Sequence, residues 1–276
     1  MAGVAESTPA LPDPVMIDLP SPALIGVIHL PALPGSPCHQ FTVEEIVARA
    51  VADARTLRDA AFDAVIIENF GDVPFNKNEL GPASVATVAI VADHVQRAAG
   101  LALGINALRN DARAALGIAA AVGARFVRVN VHTGVSATDQ GFIEGKARDT
   151  LLYRKQLGRR IALLADVHVK HATQISQPDL AGAARETAYR GLADGLIVTG
   201  KATGEPVDPA DLRRVHEAVP DRRLFVGSGA TAETVGTLLA SASGIIVGMA
   251  IKVDGIATNP VDPNRAVAFA SAAGRG

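Results

Sequence analysis

Eight short apolar runs, each followed by an amphipathic stretch, constrain this chain more than any other feature. The runs are ALIGVIHL (23–30), DAVIIENF (63–70), LALGINAL (101–108), ARFVRVNV (124–131), RIALLADVHV (160–169), DGLIVTG (194–200), RLFVGSG (223–229) and SGIIVGMA (243–250). Each is bounded by Gly, Asp or Arg, as expected of strands buried in a parallel sheet. The segments between them carry helix punctuation. Thr42 and Glu45 form a capping-box pattern that opens a helix running to about Ala60. Pro82 and Gly100 suit the first turn and the stop of the next helix. Further helices are predicted over 111–122, 150–157, 178–189, 209–218, 231–239 and 263–273. This alternation predicts an α/β chain folded as a single (β/α)8 barrel, a form that takes about 250 residues. The rival, a doubly wound open sheet, is disfavoured because no G-x-G-x-x-G follows the first strand. Residues 23–276 contain no linker-like stretch and read as one domain. Residues 1–22, with four prolines before residue 21, read as a loosely ordered leader.

Bulk composition narrows the partners. The net charge of −2 is spread over mixed signs, which gives no electrostatic case for a nucleic acid polymer. The single cysteine, Cys38, supports neither an intramolecular disulfide nor a cysteine-rich zinc site. The longest apolar candidate, 85–105, is broken by Asp93, His94, Gln96 and Arg97, so no membrane-spanning segment is predicted. The first residues carry acidic groups and no continuous apolar core of a signal peptide. A soluble cytoplasmic protein is the expectation, with peripheral membrane association left open. A homo-oligomer is a further expectation, though no symmetric seam is visible.

In (β/α)8 barrels the active site lies at the C-terminal ends of the strands. Polar groups concentrate there. His29 ends the first strand, Glu68 and Asn69 the second, and Asn106 the third, with Arg109 just beyond. Arg128, Asn130 and His132 alternate at the end of the fourth, and Asp166, His168 and Lys170 at the end of the fifth. Alternation predicts a common facing within each set. The sixth strand delivers Thr199 and then Lys201 in the loop TGKATGE. Glu68, Asp166, His168 and Lys201 are the candidate catalytic groups. His29, Asn69, Asn106, Arg128, Asn130, His132, Lys170 and Thr199 are candidates for holding substrate. Lys201 could bind an anion, protonate a leaving group or form a Schiff base if desolvated.

The ends of the last two strands carry a different signal. Gly227-Ser228-Gly229 and Gly248, with Lys252, form small-residue loops where backbone amides can approach an anion. Barrels frequently bind phosphate at this place. No cofactor is indicated with certainty. A divalent metal is a candidate because Glu68 and Asp166 are oxygen ligands on facing strands, although no sequential spacing supports one.

Several segments together resemble the BtpA family: IGVIHLPALPGSP (25–37), IIENFGDVPF (66–75), LGINALRND (103–111), RVNVHTGV (128–135), TDQGFIEG (138–145), ADVHVKHA (165–172), GLIVTGKATGEPVD (195–208), LFVGSGAT (224–231) and IKVDGIATNPVD (251–262). The resemblance spans nearly the whole chain after the leader. It implies a (β/α)8 barrel, and the family's name implies a role in photosystem I biogenesis. It supplies no catalytic residues.

Two kinds of function therefore stand side by side. The first is an enzyme acting on a small phosphorylated sugar or nucleotide-like ribosyl phosphate by acid–base chemistry, as an isomerase, a lyase, or in glycosidic cleavage or transfer. The second is a non-catalytic photosystem I assembly or stability factor, or a metabolite-binding barrel. Aromatics are few, with no Trp and two Tyr, so aromatic-rich interaction hot spots are not evident. The polar rim favours the enzyme. The loop after the first strand and residues 135–146 are expected to cover the mouth as a lid.

Overall fold

The structure, a computed structural model, describes residues 13–200 and 206–275. Eight parallel strands close into one barrel in chain order. They are β1 (Ala23–His29), β2 (Ala64–Glu68), β3 (Ala102–Asn106), β4 (Phe126–Val129), β7 (Ala162–Asp166), β9 (Gly195–Val198), β10 (Arg223–Val226) and β11 (Gly244–Val247). Helices α1 (Val43–Asp59), α2 (Pro82–Ala99), α3 (Ala112–Val122), α4 (Ala147–Leu157), α5 (Leu180–Arg185), α6 (Pro209–Ala218), α7 (Val235–Leu239) and α8 (Pro263–Ala272) alternate with them. The chain is a (β/α)8 barrel. No helix among the described residues is long and apolar enough to cross a membrane.

Local chemistry accounts for the punctuation. Thr42 Oγ1 accepts the Glu45 amide, and the Glu45 carboxylate accepts the Thr42 amide, so the capping box forms at the start of α1. Asp111, Asp179, Asp208 and Asp262 cap later helices through their side chains. The fifth helix departs from a plain α-helix: after α5 the turn widens into a π-helical stretch over Glu186–Arg190.

Two apolar layers hold the barrel. One lies between strands and helices; the other fills the interior with alternate residues of the strands, among them Ile25, Ile66, Leu164, Ile197 and Ile246. Phe126 and Phe225 are the largest interior side chains, and glycines make room for them. A Cβ at Gly104 would sit 2.3 Å from the Phe126 ring, and one at Gly244 3.0 Å from that of Phe225.

The end of the barrel opposite the predicted site is plugged by residues of the leader. Ile17 is buried in the interior layer, with Val15 and Leu19 against it. Arg223 donates to the carbonyls of Ile17 and Leu19, and Asp194 accepts the Val15 amide at 2.7 Å. Val15, Ile17 and Leu19 alternate with Met16 and Asp18, which are exposed, so one face of this extended segment meets the barrel floor. Residues 1–12 lie outside the described residues.

The other departure is an addition at the open end. Val135–Thr138 (β5) pairs antiparallel with Gly141–Glu144 (β6), and with Thr173–Gln174 (β8) on its other side. The segment predicted as a lid is thus a small three-stranded sheet on the rim, tied by Ser136 Oγ donating to Gln174 Oε1 at 2.8 Å.

Candidate active site

The parity of the barrel interior selects the site. On β1 the inward residues are Ala23, Ile25 and Val27, so the next inward position is His29. The same count on β2, β3, β4 and β7 ends on Glu68, Asn106, Arg128 and Asp166. Strand register then makes neighbours of them: His29 is level with Glu68, Glu68 with Asn106, and Asn106 with Arg128. On β10 and β11 the equivalent inward positions are Gly227 and Gly248, which leave space where the other strands put side chains. That space is a cavity of about 240 Å³. His29, Glu68, Arg128 and Lys170 line one side, and the backbone of 227–231 and 247–250 lines the other.

The polar floor of the cavity is a fixed network. Arg128 grips Asp166 with two hydrogen bonds, Nε to Oδ1 at 3.2 Å and Nη2 to Oδ2 at 3.1 Å. Asn130 Nδ2 donates to the same carboxylate at 2.8 Å. Burial opposes the Arg128 charge, but Asp166 and then Glu68 outweigh it and hold the guanidinium above its ordinary range. Asn106 Nδ2 donates to Glu68 Oε2 at 3.0 Å. Glu68 Oε1 faces His29 Nε2 across 3.9 Å, too far for a hydrogen bond. His29 Nδ1 donates to the Ala257 carbonyl at 2.8 Å, and its ring lies 4.5 Å from that of Phe70. Burial pushes the His29 ring below its usual range; Glu68 pulls it back up, while Lys252 and Lys170 add to the lowering. Lys170 is also lowered, first by burial and then by Arg128.

The opposite wall consists of unpartnered polar groups. Among the described residues none accepts from the amides of Ser228, Gly229 or Ala230. Ser228 Oγ is buried without a hydrogen-bond partner among the described residues, as are Asn106 Oδ1 and Asn130 Oδ1. Gly227 cannot carry a side chain here, because a Cβ would meet Ile197 at 2.5 Å and Thr199 at 2.7 Å. Gly229 has φ +74°, which favours glycine. Buried polar atoms without partners call for an explanation, and a ligand that binds them supplies one.

Several predicted residues stand elsewhere. His132 does not share the facing of Arg128 and Asn130: its Nε2 donates to the Gly191 carbonyl at 2.7 Å, inside the wall. His168 likewise leaves the set formed by Asp166 and Lys170, and bonds the Gln177 carbonyl at 2.9 Å. The reason is common to both. β4 ends at Val129 and β7 at Asp166, so strand alternation has no force beyond those points. Asn69 clamps the loop after β3, accepting the Leu108 amide and donating to the Leu108 carbonyl. Thr199 donates to the His168 carbonyl at 3.1 Å. Lys252 does not reach the phosphate-type loops; its ammonium is fully buried against Asp53 at 2.7 Å, behind the cavity wall. Lys201 lies outside the described residues. As for a metal, no group of three or more His, Cys, Asp or Glu among the described residues could hold one, and Asp166 is already bound by Arg128 and Asn130.

The cavity also draws in groups outside the predicted set. Phe70 and the Ala257 carbonyl fix His29. Arg109 is buried and donates to the Lys170 carbonyl at 3.0 Å. Arg109 is legible in the sequence from its place just past β3. Ala257 could not, because a carbonyl leaves no mark in a sequence.

A closed parallel barrel with charged residues at the C-terminal ends of its strands and a glycine-lined cavity beside them defines the chain as a (β/α)8 barrel with a built rim site. Solved structures of the same fold include thiamine phosphate pyrophosphorylase from Pyrococcus furiosus, with a TM-score of 0.58 and 12% identity over 92% of this chain and 96% of that one. Orotidine 5′-phosphate decarboxylase from Pyrococcus horikoshii gives 0.55 and 19% over 91% and 99%. The chain belongs to the BtpA family, whose profile matches residues 21–275. The photosystem I biogenesis protein BtpA of Synechocystis is 44% identical over 92% of this chain and 88% of its own length. An uncharacterised protein of Pyrococcus furiosus is 46% identical over 91% and 94%.

Proposed function

We propose that this barrel is an enzyme acting on a small phosphorylated compound, a sugar phosphate or a ribosyl phosphate, by acid–base chemistry. The observation that carries the reading is a wall without partners among the described residues: three backbone amides and the buried Ser228 hydroxyl around one cavity. A phosphate there would satisfy donors that the described residues leave open. Across the cavity stand His29, Glu68 and Lys170, within reach of the part of the substrate beyond the phosphate. This juxtaposition suits isomerisation, a lyase reaction, or cleavage or transfer at a glycosidic carbon. The names of the two structural relatives, both of which carry phosphate, agree with the reading but share only the fold.

The second reading, a factor in photosystem assembly, draws on the name of the Synechocystis relative. One observation favours it: Val73, Phe142, Ile175 and Ile256 are exposed apolar side chains on segments that follow barrel strands.

A thermal-shift series separates the two. Inorganic phosphate, sugar phosphates, nucleotides and their unphosphorylated forms are compared. Selective binding at 100 times Kd stabilises the fold by about 2.7 kcal/mol. The enzyme reading expects stabilisation that needs the phosphate and is lost in Ser228→Glu. No shift with any phosphorylated compound overturns it and favours a protein partner.

A further inference from the structure

We propose that His29 is the proton acceptor of the site, held in one tautomer by the Ala257 carbonyl, and that the buried Lys252–Asp53 pair is the positioning device behind it. The assignment rests on the cavity being a site for a phosphorylated substrate, and names its acid–base group.

A carbonyl oxygen only accepts, so the 2.8 Å contact to Ala257 puts the ring hydrogen on Nδ1. In the neutral ring Nε2 is then a bare lone pair. It faces Glu68 at 3.9 Å, on the cavity wall. The ring cannot swing away. Phe70 packs against it, and a Cβ at Gly248 would lie 2.8 Å from His29 Cε1, so the ring occupies the space of the missing side chain. Burial keeps the ring neutral; the charged groups acting on it are Glu68 on β2, Lys170 after β7 and Lys252 after β11.

The other acidic candidate is spent. Asp166 accepts two hydrogen bonds from Arg128 and one from Asn130, and could take a proton only by breaking a buried ion pair. Glu68 has one oxygen committed to Asn106 and the other open towards His29. In the step proposed, a proton leaves the substrate for His29 Nε2 while its bonding electrons stay on the substrate. Glu68 stabilises the resulting imidazolium, and the proton returns to another atom of the substrate, which restores the neutral ring.

Ala257 sits in the segment between Lys252 and Val261, and one carboxylate closes both ends of that segment. Asp53 Oδ2 accepts from Lys252 Nζ at 2.7 Å, and Oδ1 accepts from the Val261 amide at 2.8 Å. Lys252 and Val261 also pair as a backbone bridge. The carbonyl that sets the His29 tautomer is therefore anchored from α1.

The test is long-range ¹H–¹⁵N NMR of the imidazole nitrogens in the full chain at pH 7.5, with His29 assigned by its loss in His29→Gln. The wild type is expected to show a neutral ring protonated at Nδ1. The Asp53→Asn, Lys252→Met double variant, which leaves no buried charge unpaired, is expected to show a mixture of tautomers. An Nε2–H ring or an imidazolium in the wild type overturns the assignment whatever the variant does. An unchanged tautomer in a folded double variant overturns the positioning role. On the phosphorylated compound that is turned over, His29→Gln should lower kcat by about 100-fold or more with KM little changed; wild-type turnover in that variant overturns the assignment. Inorganic phosphate binding is measured in parallel. Its absence in the wild type strikes the reading of the cavity, whereas a wrong tautomer with phosphate bound strikes only the role of His29.

Discussion

At the scale of single residues, the floor of the cavity is where charge is most expensive. Arg128 and Asp166 are both buried, and each is tolerated because the other is there. Asp166→Ala is expected to destabilise the fold by about 3–5 kcal/mol, since it strands a guanidinium. Replacing both, Arg128→Met with Asp166→Leu, should cost far less; urea unfolding of the two variants compares them. Two histidines give the fold a pH dependence. Burial lowers both His29 and His132 below the ordinary value of about 6.5. Below that value the unfolded chain takes up protons that the folded chain refuses, so stability falls as pH drops and is regained as it rises through the window. Melting temperature measured between pH 7.5 and 5 should decline, and less steeply in His132→Asn. His132 also shows what a sequence conceals. Its spacing from Arg128 and Asn130 was a valid count along a strand, but the strand stops at Val129. Asp53 left a readable trace: it falls on the buried stripe of α1 with Ile46, Ala50, Ala54 and Leu57, a charged residue in an apolar row. What the row does not reveal is that its partner, Lys252, lies 199 residues away.

Among the elements, all eight barrel strands were legible as apolar runs, because interior and helix-facing positions are both buried and few polar residues interrupt them. The helices were legible from their caps, with boundaries moved by a few residues: the fourth starts at Ala147 instead of Thr150. The rim sheet was not. Val135–Glu144 mixes Gly, Thr, Asp and Gln, and two four-residue strands of that composition read as loop. Gly141, with φ +91°, is what lets the hairpin turn. As a cover for the mouth, this sheet should gain protection when the cavity fills. Hydrogen exchange of amides 134–145 is expected to slow with any phosphorylated ligand that stabilises the protein, and unchanged exchange would sink the idea of a lid. The small-residue loops after β10 and β11 were legible by place more than by motif. Gly-Ser-Gly is a common turn, and only its position at the end of the seventh barrel strand made it a candidate.

For the molecule as a whole, the two ends of the barrel divide their labour. Asp194 at the closed end accepts from the amides of Val15 and Leu163 and pairs with Arg154, so it fastens plug, strand and helix together. Asp194→Ala should cost about 3–5 kcal/mol by the same reasoning as any broken buried pair. Ligand binding at the far end should be unchanged in the variant that remains folded; denaturation and phosphate titration of one sample would check both. The plug was the part of the architecture least visible beforehand, since its prolines argued for looseness and its three alternating apolar residues are too few to announce a buried segment. Its presence has a kinetic meaning. The plug and the packed interior layer close the barrel behind the cavity, so whatever enters by the mouth must leave by it. If the chemistry involves two reactants, the one that settles against Arg128 has to arrive first, and the last product to depart is the one formed nearest that floor.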